Sequence, residues 1–270
     1  MLQLTIRVTD TIPIDAAAIA PDRLASLNIS AIEKLSLHHG NRPTPLAELF
    51  DITGGSADGR IEIVGDASRV KNLGQEMTAG QLIVRGPVGL HCGAGMHGGS
   101  IAIHGNGGDW LGAEMRGGSI RLHGHAGNQV GAGYRGSPKG MRGGTILIDG
   151  NAGHEVGSNM RRGVIAVAGT VGDMAGHAMI AGTIIAFGGI GRRCGAGMKR
   201  GSIITLNAPA DIPPTFRFAC DYNPTFLHIY LKQLASWGMK LPPGKRGNLF
   251  RRYSGDLLAL GKGEILVALS

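Results

Sequence analysis

Apolar residues two positions apart recur through the middle of the chain at a fixed interval. The pairs are Leu82/Val84, Ile101/Ile103, Ile120/Leu122, Ile146/Ile148, Ile165/Val167, Ile184/Ala186 and, with one polar member, Ile203/Thr205. Alternation of this kind predicts short β-strands with one buried face. Each pair ends a longer phrase, Gly-x-x-Met-x-x-Gly-x-[Ile/Leu]-x-[Ile/Val]-x-Gly, complete in the stretch from Gly93 through Met96, Ile101 and Ile103 to Gly105. Its methionines are Met77, Met96, Met115, Met141, Met160, Met179 and Met198. All steps between them are 19 residues except one of 26, which holds a seven-residue insert, Tyr134–Gly140.

A unit this small cannot bury its own apolar face, so the copies must stack on one another. The pattern predicts an all-β chain, a single-domain right-handed β-helix (β-solenoid) of about seven coils. At an inter-strand spacing of roughly 4.8 Å, seven coils make a rod about 30 Å long. Sharp corners between strands explain the 47 glycines, because glycine tolerates the positive φ that corners demand. A flexible linker or collagen would show neither the register of β-branched residues nor this period. Stacking turns each repeat position into a row. The methionines are expected to fill the core, with a metal-binding row as the functional alternative. Leu73, Cys92, Leu111, Val130, Val156, Ala175 and Cys194 form a second apolar row. The two cysteines in it stand five coils apart, on the order of 24 Å, too far for a disulfide.

The flanks differ in character. Residues 1–58 carry an alternating strand, Leu2–Val8, a short helix begun by Pro21, and ambiguous elements at Leu35–Gly40 and Leu46–Ile52. They are expected to cap the open coil end, where unpaired edges would otherwise be exposed. Residues 59–206 hold the repeats, the first copy being the weakest. Residues 207–270 leave the pattern at a proline-rich break and hold most of the aromatic residues. Helical spacing spans Thr225–Trp237 and ends at Gly238; the segment 242–247 (Pro-Pro-Gly-Lys-Arg-Gly) follows. The run Arg251–Asp256 comes next, and two strand-like pieces are expected after it, at Leu257–Leu260 and Glu264–Leu269. This tail is expected to pack on the rod or on a partner subunit.

Three cysteines without paired spacing point to a reducing, cytoplasmic setting. No apolar run is long enough to span a membrane. A formal charge of +8 favours an anionic partner, but with aromatics at only 4% of residues, nucleic acid is not expected. Acids in one row stand two or three coils apart, Glu76 with Glu114 and Asp109 with Asp173, which argues against paired carboxylate catalysis. No nucleophile elbow, P-loop or Cys-x-x-Cys occurs. His104 and His123 occupy equivalent positions in adjacent copies, with His125, His91 and His97 nearby. They offer either a zinc site or a hydrated row of corner residues. Charge is more ordered: the two positions after each methionine supply Arg116, Arg142, Arg161, Arg162, Lys199 and Arg200. That stripe is either a solvated face or a surface that meets carboxylates or phosphates. Arg192, Arg193, Arg135 and Lys139 are candidates to extend it.

The sevenfold phrase is similar to the repeat of the C-type subunit of formylmethanofuran dehydrogenase. It also resembles that of a bacterial relative, the C-type subunit of the formyltransferase/hydrolase complex. The same repeat is shared with the C-terminal domain of the glutamate synthase large subunit. The flanks from Pro13 to Ala16, Gly40 to Arg42, Leu46 to Phe50 and Arg252 to Leu257 add to the resemblance, which favours the bacterial form. It implies a non-catalytic scaffold with no catalytic residue, metal or cofactor of its own. Its partners would be the hydrolase-like A-type, the B-type and the formyltransferase D-type subunits. The complex would use methanofuran or an analogue and tetrahydromethanopterin, with metal in the hydrolase component. The basic stripe would then touch a partner or the polyglutamate chain of the cofactor. Two alternatives remain open: the C-type component of an archaeal dehydrogenase, and a solenoid enzyme with its own site among His91, His104 and His123.

Overall fold

A computed structural model describes residues 1–241 and 249–269, so the segment 242–247 singled out above lies outside the described residues. The chain opens with β1 (Leu2–Ile6), β2 (Ile14–Asp15), α1 (Pro21–Leu24), α2 (Ile29–Glu33), β3 (Ser36–His39), β4 (Arg42–Pro45), α3 (Leu46–Leu49) and β5 (Phe50–Gly54). The repeats supply β6 (Arg60–Val64), β7 (Val70–Lys71), β8 (Gln81–Val84), β9 (Ser100–Ile103), β10 (Ser119–Leu122), β11 (Arg142–Ile148), β12 (Arg162–Val167), β13 (Thr183–Ala186) and β14 (Arg200–Thr205). The tail adds β15 (Arg217–Tyr222), α4 (Thr225–Ser236), β16 (Phe250–Gly255) and β17 (Lys262–Ala268).

Strands dominate, and the large sheet is mixed, in the order β15-β16-β17-β14-β13-β12-β11-β10-β9-β8-β6-β1-β5. From β6 to β14 every neighbour is parallel and one repeat away: Ile101 faces Ile120, which faces Ile146. A second column of parallel bridges runs from Ala67 through Val88, Gly107, Ala126, Ala152 and Val171 to Ile190. Two columns held in one register bring each repeat back over the same spot.

The phrase that defines the repeat is a packing rule. All seven methionines are fully buried. From Met96 onward, the glycine three residues after each one lies against the methionine methyl of the preceding repeat. A Cβ on Gly118 would sit 2.7 Å from the Met96 Cε and 2.8 Å from the Gly99 carbonyl. The glycine three residues before the methionine faces the next repeat instead at Gly74, Gly93, Gly112, Gly157 and Gly176, with Gly131 in that role where the insert intervenes. At Gly112, with φ +62°, a Cβ would meet the Ile146 Cδ1 at 2.6 Å. Both glycines are therefore excluded volume as well as corner residues. The cysteines behave as the apolar row requires: Cys92 and Cys194 are buried and unpaired, and burial pushes both thiols up to about 12.

Glycine does not supply every left-handed corner. Asn72, His91, Trp110, Gln129, Glu155, Met174 and Arg193 share one repeat position and have φ between 57° and 63°. Glu76, Glu114, Asn159 and Ala178 share another, where other repeats place Gly95 or Gly197. The reason lies in hydrogen-bond direction. Most turn N–H groups point back one repeat, as Gly112 N–H does to the Cys92 carbonyl (2.8 Å). The left-handed residues turn theirs forward, Trp110 to the Asn128 carbonyl (2.9 Å) and Ala178 to Ala196 (2.8 Å). Each corner is thus tied to both neighbours, which holds residues in a conformation costing roughly 1–2 kcal/mol.

The ends are built differently. Strand β1 continues the parallel stack beside β6, with Leu2 opposite Ile61 and Leu4 opposite Ile63, and β5 closes it antiparallel. Helix α1 is pinned to the first repeat because the Asp22 carboxylate accepts from both Thr78 N–H and its hydroxyl. At the other end β17 adds one more parallel strand to β14, followed by antiparallel β16 and β15. Buried Asp256 seats this hairpin by accepting from the Gly197 N–H at 2.8 Å and the Leu258 N–H at 2.9 Å. Helix α4 lies on the outer face of the later repeats. Its Leu227 and Leu234 join Leu147, Ala166, Ile185, Ile204 and Leu266 in a second core.

Some local expectations change. Leu35–Gly40 is largely strand β3, and Leu46–Ile52 divides into α3 and β5. The strand-like piece Leu257–Leu260 is a turn, held by Asp256, that leaves Leu257, Leu258 and Leu260 50%, 85% and 53% exposed. The insert leaves and rejoins its repeat at adjacent points: a Cβ on Gly133 would lie 3.2 Å from Gly140 N.

Two left-handed corners at different repeat positions make opposite predictions. Ala178→Gly relieves the conformational cost, less about 0.5–1 kcal/mol for glycine's unfolded freedom, and should stabilise by up to about 1 kcal/mol. Gly118→Ala, at φ +82° and against the Gly99 carbonyl, should destabilise by about 2 kcal/mol or more. Denaturant melts of the two variants check both signs.

Candidate functional site

The post-methionine row forms as a ladder. His97, Arg116, Arg142, Arg161, Ile180 and Lys199 each donate their N–H to the methionine carbonyl one repeat back, at 2.6–2.8 Å. The side chains are not equivalent. Arg116 is exposed and reaches back to His97 (Nη1 to Nε2, 3.0 Å), whereas Arg142 is half-buried with its Nε unpartnered. A bulge places Arg162, not Arg161, opposite Arg142. Ile180 then interrupts the row. Lys199 and Arg200 belong to a second basic group, completed by Lys262 of β17 opposite Arg200. Arg192 and Arg193 stand at a different corner, where their N–H groups are held by Asp173 (2.7 Å) and Asp211 (3.0 Å).

The histidines divide among separate places. His125 and His154 are links in two rows of side-chain acceptors at the corners. Asn106 accepts from His125 N–H, and the His125 Nδ1 accepts from Asn151 N–H. Asp109, Asn128, His154 and Asp173 repeat the arrangement. His91 stacks on Trp110 (5.2 Å between ring centres), and its Nδ1 takes the hydroxyl of Tyr134 from the insert at 3.1 Å. His104 stacks on His123 at 4.9 Å. No contact joins His91 to that pair among the described residues, and no group of three His, Cys, Asp or Glu side chains there could hold a metal ion. No helix among them is long and apolar enough to cross a membrane.

His104 and His123 belong to a longer row at the position eight residues after each methionine: Arg85, His104, His123, Asp149, Ala168, Phe187 and Leu206. Its first four members form a network. Glu62, 7% exposed, accepts from Gln3 at 3.1 Å and from the Arg85 Nε at 2.7 Å, and the arginine holds its carboxyl below the usual range. Arg85 also touches the His104 Nε2 at 3.2 Å. His123 Nδ1 pairs with the Asp149 Oδ2 at 2.8 Å. The Asp149 Oδ1 in turn takes Arg121 Nη2, which also reaches the Gly238 carbonyl at the end of α4 (3.2 Å). Phe187 and Leu206 are instead buried beneath α4. Arg121 and Asp149 were absent from the sequence candidates, though two signals mark them. Arg121 is a charged residue in the outward row that otherwise holds Ile83, Ala102, Leu147, Ala166 and Ile185 from β8 to β13, and Asp149 continues the row of His104 and His123.

No family model matches the chain. A chain in the crystal structure of the formyltransferase/hydrolase complex (FhcABCD) from Methylorubrum extorquens in complex with methylofuran is 32% identical. The match covers 99% of this chain and 100% of that one, with a TM-score of 0.92. The C-type subunit of the tungsten-containing formylmethanofuran dehydrogenase 2 of Methanothermobacter wolfeii is 40% identical over 96 residues. The chain belongs to the family of formylmethanofuran dehydrogenase C-type subunits. Another relative, the C-type subunit of the molybdenum-containing formylmethanofuran dehydrogenase 1 of Methanosarcina barkeri, is 38% identical over 84 residues. These two alignments span 36% and 28% of the curated relatives, about a third of their length. Family membership thus rests on the end-to-end structural match.

The histidines of this C-type homologue give it a pH dependence of defined sign. Burial, then Lys71, lowers the pKa of His91; burial, then Arg85 and His123, lowers that of His104. Both stay neutral in the fold where the unfolded imidazoles, at 6.5, start to bind protons. Their contribution is intact above 6.5 and is lost as pH falls below it. Unfolding free energy should drop between about pH 7.5 and 5.5, and His91→Gln with His104→Gln should flatten the slope in denaturant titrations.

Proposed function

We propose that this chain is the non-catalytic scaffold subunit of a formyltransferase/hydrolase complex. In that complex a formyl group passes from formyl-tetrahydromethanopterin to methanofuran or an analogue and is hydrolysed to formate. One observation carries the reading: an end-to-end match, at a TM-score of 0.92, to a chain of such a complex. The parallel ladders support a right-handed β-helix of about seven coils over residues 59–206, capped by 1–58 and buttressed by 207–270. A stiff post of this kind serves to hold the hydrolase-like A-type, the B-type and the formyltransferase D-type subunits in fixed relation in the cytoplasm. Methanofuran or its analogue, tetrahydromethanopterin and the hydrolase metal are assigned to those partners.

The corresponding component of an archaeal dehydrogenase is the second reading, favoured by the 40% identity to the M. wolfeii protein, which spans only a third of the chain. Isolation of the tagged chain from its host with mass spectrometry of its companions separates the two. The hydrolase-like, B-type and formyltransferase subunits should accompany it. Iron–sulfur and pterin-binding companions would shift the assignment to the archaeal assembly, and an unaccompanied chain with its own turnover would end both.

The basic row is assigned to a partner surface or to the anionic polyglutamate chain of the cofactor. Replacing exposed Arg116, Arg161 and Lys199 with Gln should raise KM for the cofactor several-fold and flatten its salt dependence, since fewer exposed charges are left for salt to screen within about 10 Å. Unchanged kinetics in an intact assembly would remove the row from the cofactor path.

A further inference from the structure

The row that ends each strand changes character in its middle. Arg85, His104, His123 and Asp149 are polar, Phe187 and Leu206 are apolar and covered, and Ala168 stands between the two groups. Helix α4 covers the apolar part and ends at Trp237–Gly238, beside the polar part. Because Ala168 is small where its neighbours are large, the junction is not filled. A hollow of about 480 Å³ remains there, lined by Arg121, His123, Asp149, Ala168, Gly238 and Lys240. A second hollow of about 320 Å³ adjoins it across Arg121 and is lined by Thr145, Leu147 and Trp237.

The two halves differ in chemistry. In the first, Arg121 has only 17% of its side chain exposed and spends its Nη2 on Asp149 and Gly238, while its Nη1 is buried without a partner. Guanidinium carries five donors, and an unused one out of water is costly. Lys240 is exposed at the rim, and His123 lies on the far side of Asp149. Two permanent cations against one carboxylate leave a single positive charge, to which His104 and Arg85 behind His123 add no carboxylate beyond Glu62, already held by Arg85. In the second half the 43%-exposed Trp237 presents apolar surface, and Leu147, otherwise buried at 5% exposure, lines the wall beside it.

We propose that this cleft between the outer face of β10–β11 and the end of α4 binds a small organic monocarboxylate. The carboxylate sits between Arg121 and Lys240, and an apolar body lies across Leu147 and Trp237. A dianion such as phosphate mismatches the net charge, and a neutral molecule leaves the cations unanswered. This site is distinct from the post-methionine basic row and does not depend on the scaffold role.

Trp237 is one of two tryptophans and serves as the reporter. The full-length chain is titrated with cyclohexanecarboxylate, cyclohexylmethanol and inorganic phosphate while emission and melting temperature are followed. The acid should give a saturable response with a midpoint below about 10 mM, and phosphate and the alcohol should be at least about tenfold weaker. Lys240→Met should weaken the acid at least about threefold with the fold intact, as judged by its melt without ligand, through loss of one exposed charge contact. Trp237→Phe should abolish the emission change but keep the acid's rise in melting temperature, which follows from binding to the native state. The proposal fails if the acid gives no saturable response, if phosphate or the alcohol titrates as tightly, or if Lys240→Met leaves the midpoint unmoved. In each of those cases Arg121 is only a clip fastening the end of α4.

Discussion

Every repeat depends on the contact between a methionine methyl and the glycine of the next turn of chain. At Gly118 the space left for a Cβ is 2.7 Å from the Met96 Cε, and the same contact recurs along the stack. A β-branched residue in place of methionine could not reach so far into the corner, and any side chain in place of glycine would hold the repeats apart. Separation would break both hydrogen-bonded columns together, because the corner N–H groups bond across the same gap. An unbranched thioether suits this task, being long and free to adjust to each corner. The seven methionines and their paired glycines therefore act as one spacing device.

That device was legible in the sequence because its parts recur. The strand faces, the buried methionine and cysteine rows and the post-methionine ladder all follow from counting residues along the repeat. What repetition does not encode was harder to see. The tail helix α4 covers one face of only the later repeats. The sequence marks this only faintly: one outward row reads Leu147, Ala166, Ile185 and Ile204 in those strands, where β8 to β10 place Ile83, Ala102 and Arg121. Short flanking elements were misjudged where local context decides. Leu257–Leu260 has strand composition, but Asp256 bonds the following N–H and turns the chain.

Candidate chemistry was legible to a lesser degree. A row of histidines is visible to the eye, yet its meaning comes from the members that are not histidine. Followed in both directions, the row containing His104 and His123 leads to Arg85 and Asp149, and through Asp149 to Arg121. The corner histidines, in contrast, replace Asn and Asp as acceptors for a backbone N–H, so His125 and His154 are turn residues. Left-handed Trp110 and Glu155 carry no sequence signal at all. Their conformation follows from the direction in which each N–H must point, and that emerges only when neighbouring repeats are in place.

Parallel rungs joined edge to edge have no inherent limit to their number, which is how cross-β fibrils lengthen. Here both ends of the stack finish in antiparallel strands, β5 at one and β16 with β15 at the other. An antiparallel edge offers its donors and acceptors in paired spacing, unlike the even spacing a further parallel rung requires. The flanks thus set the count, turning a motif capable of filament growth into an object of fixed length.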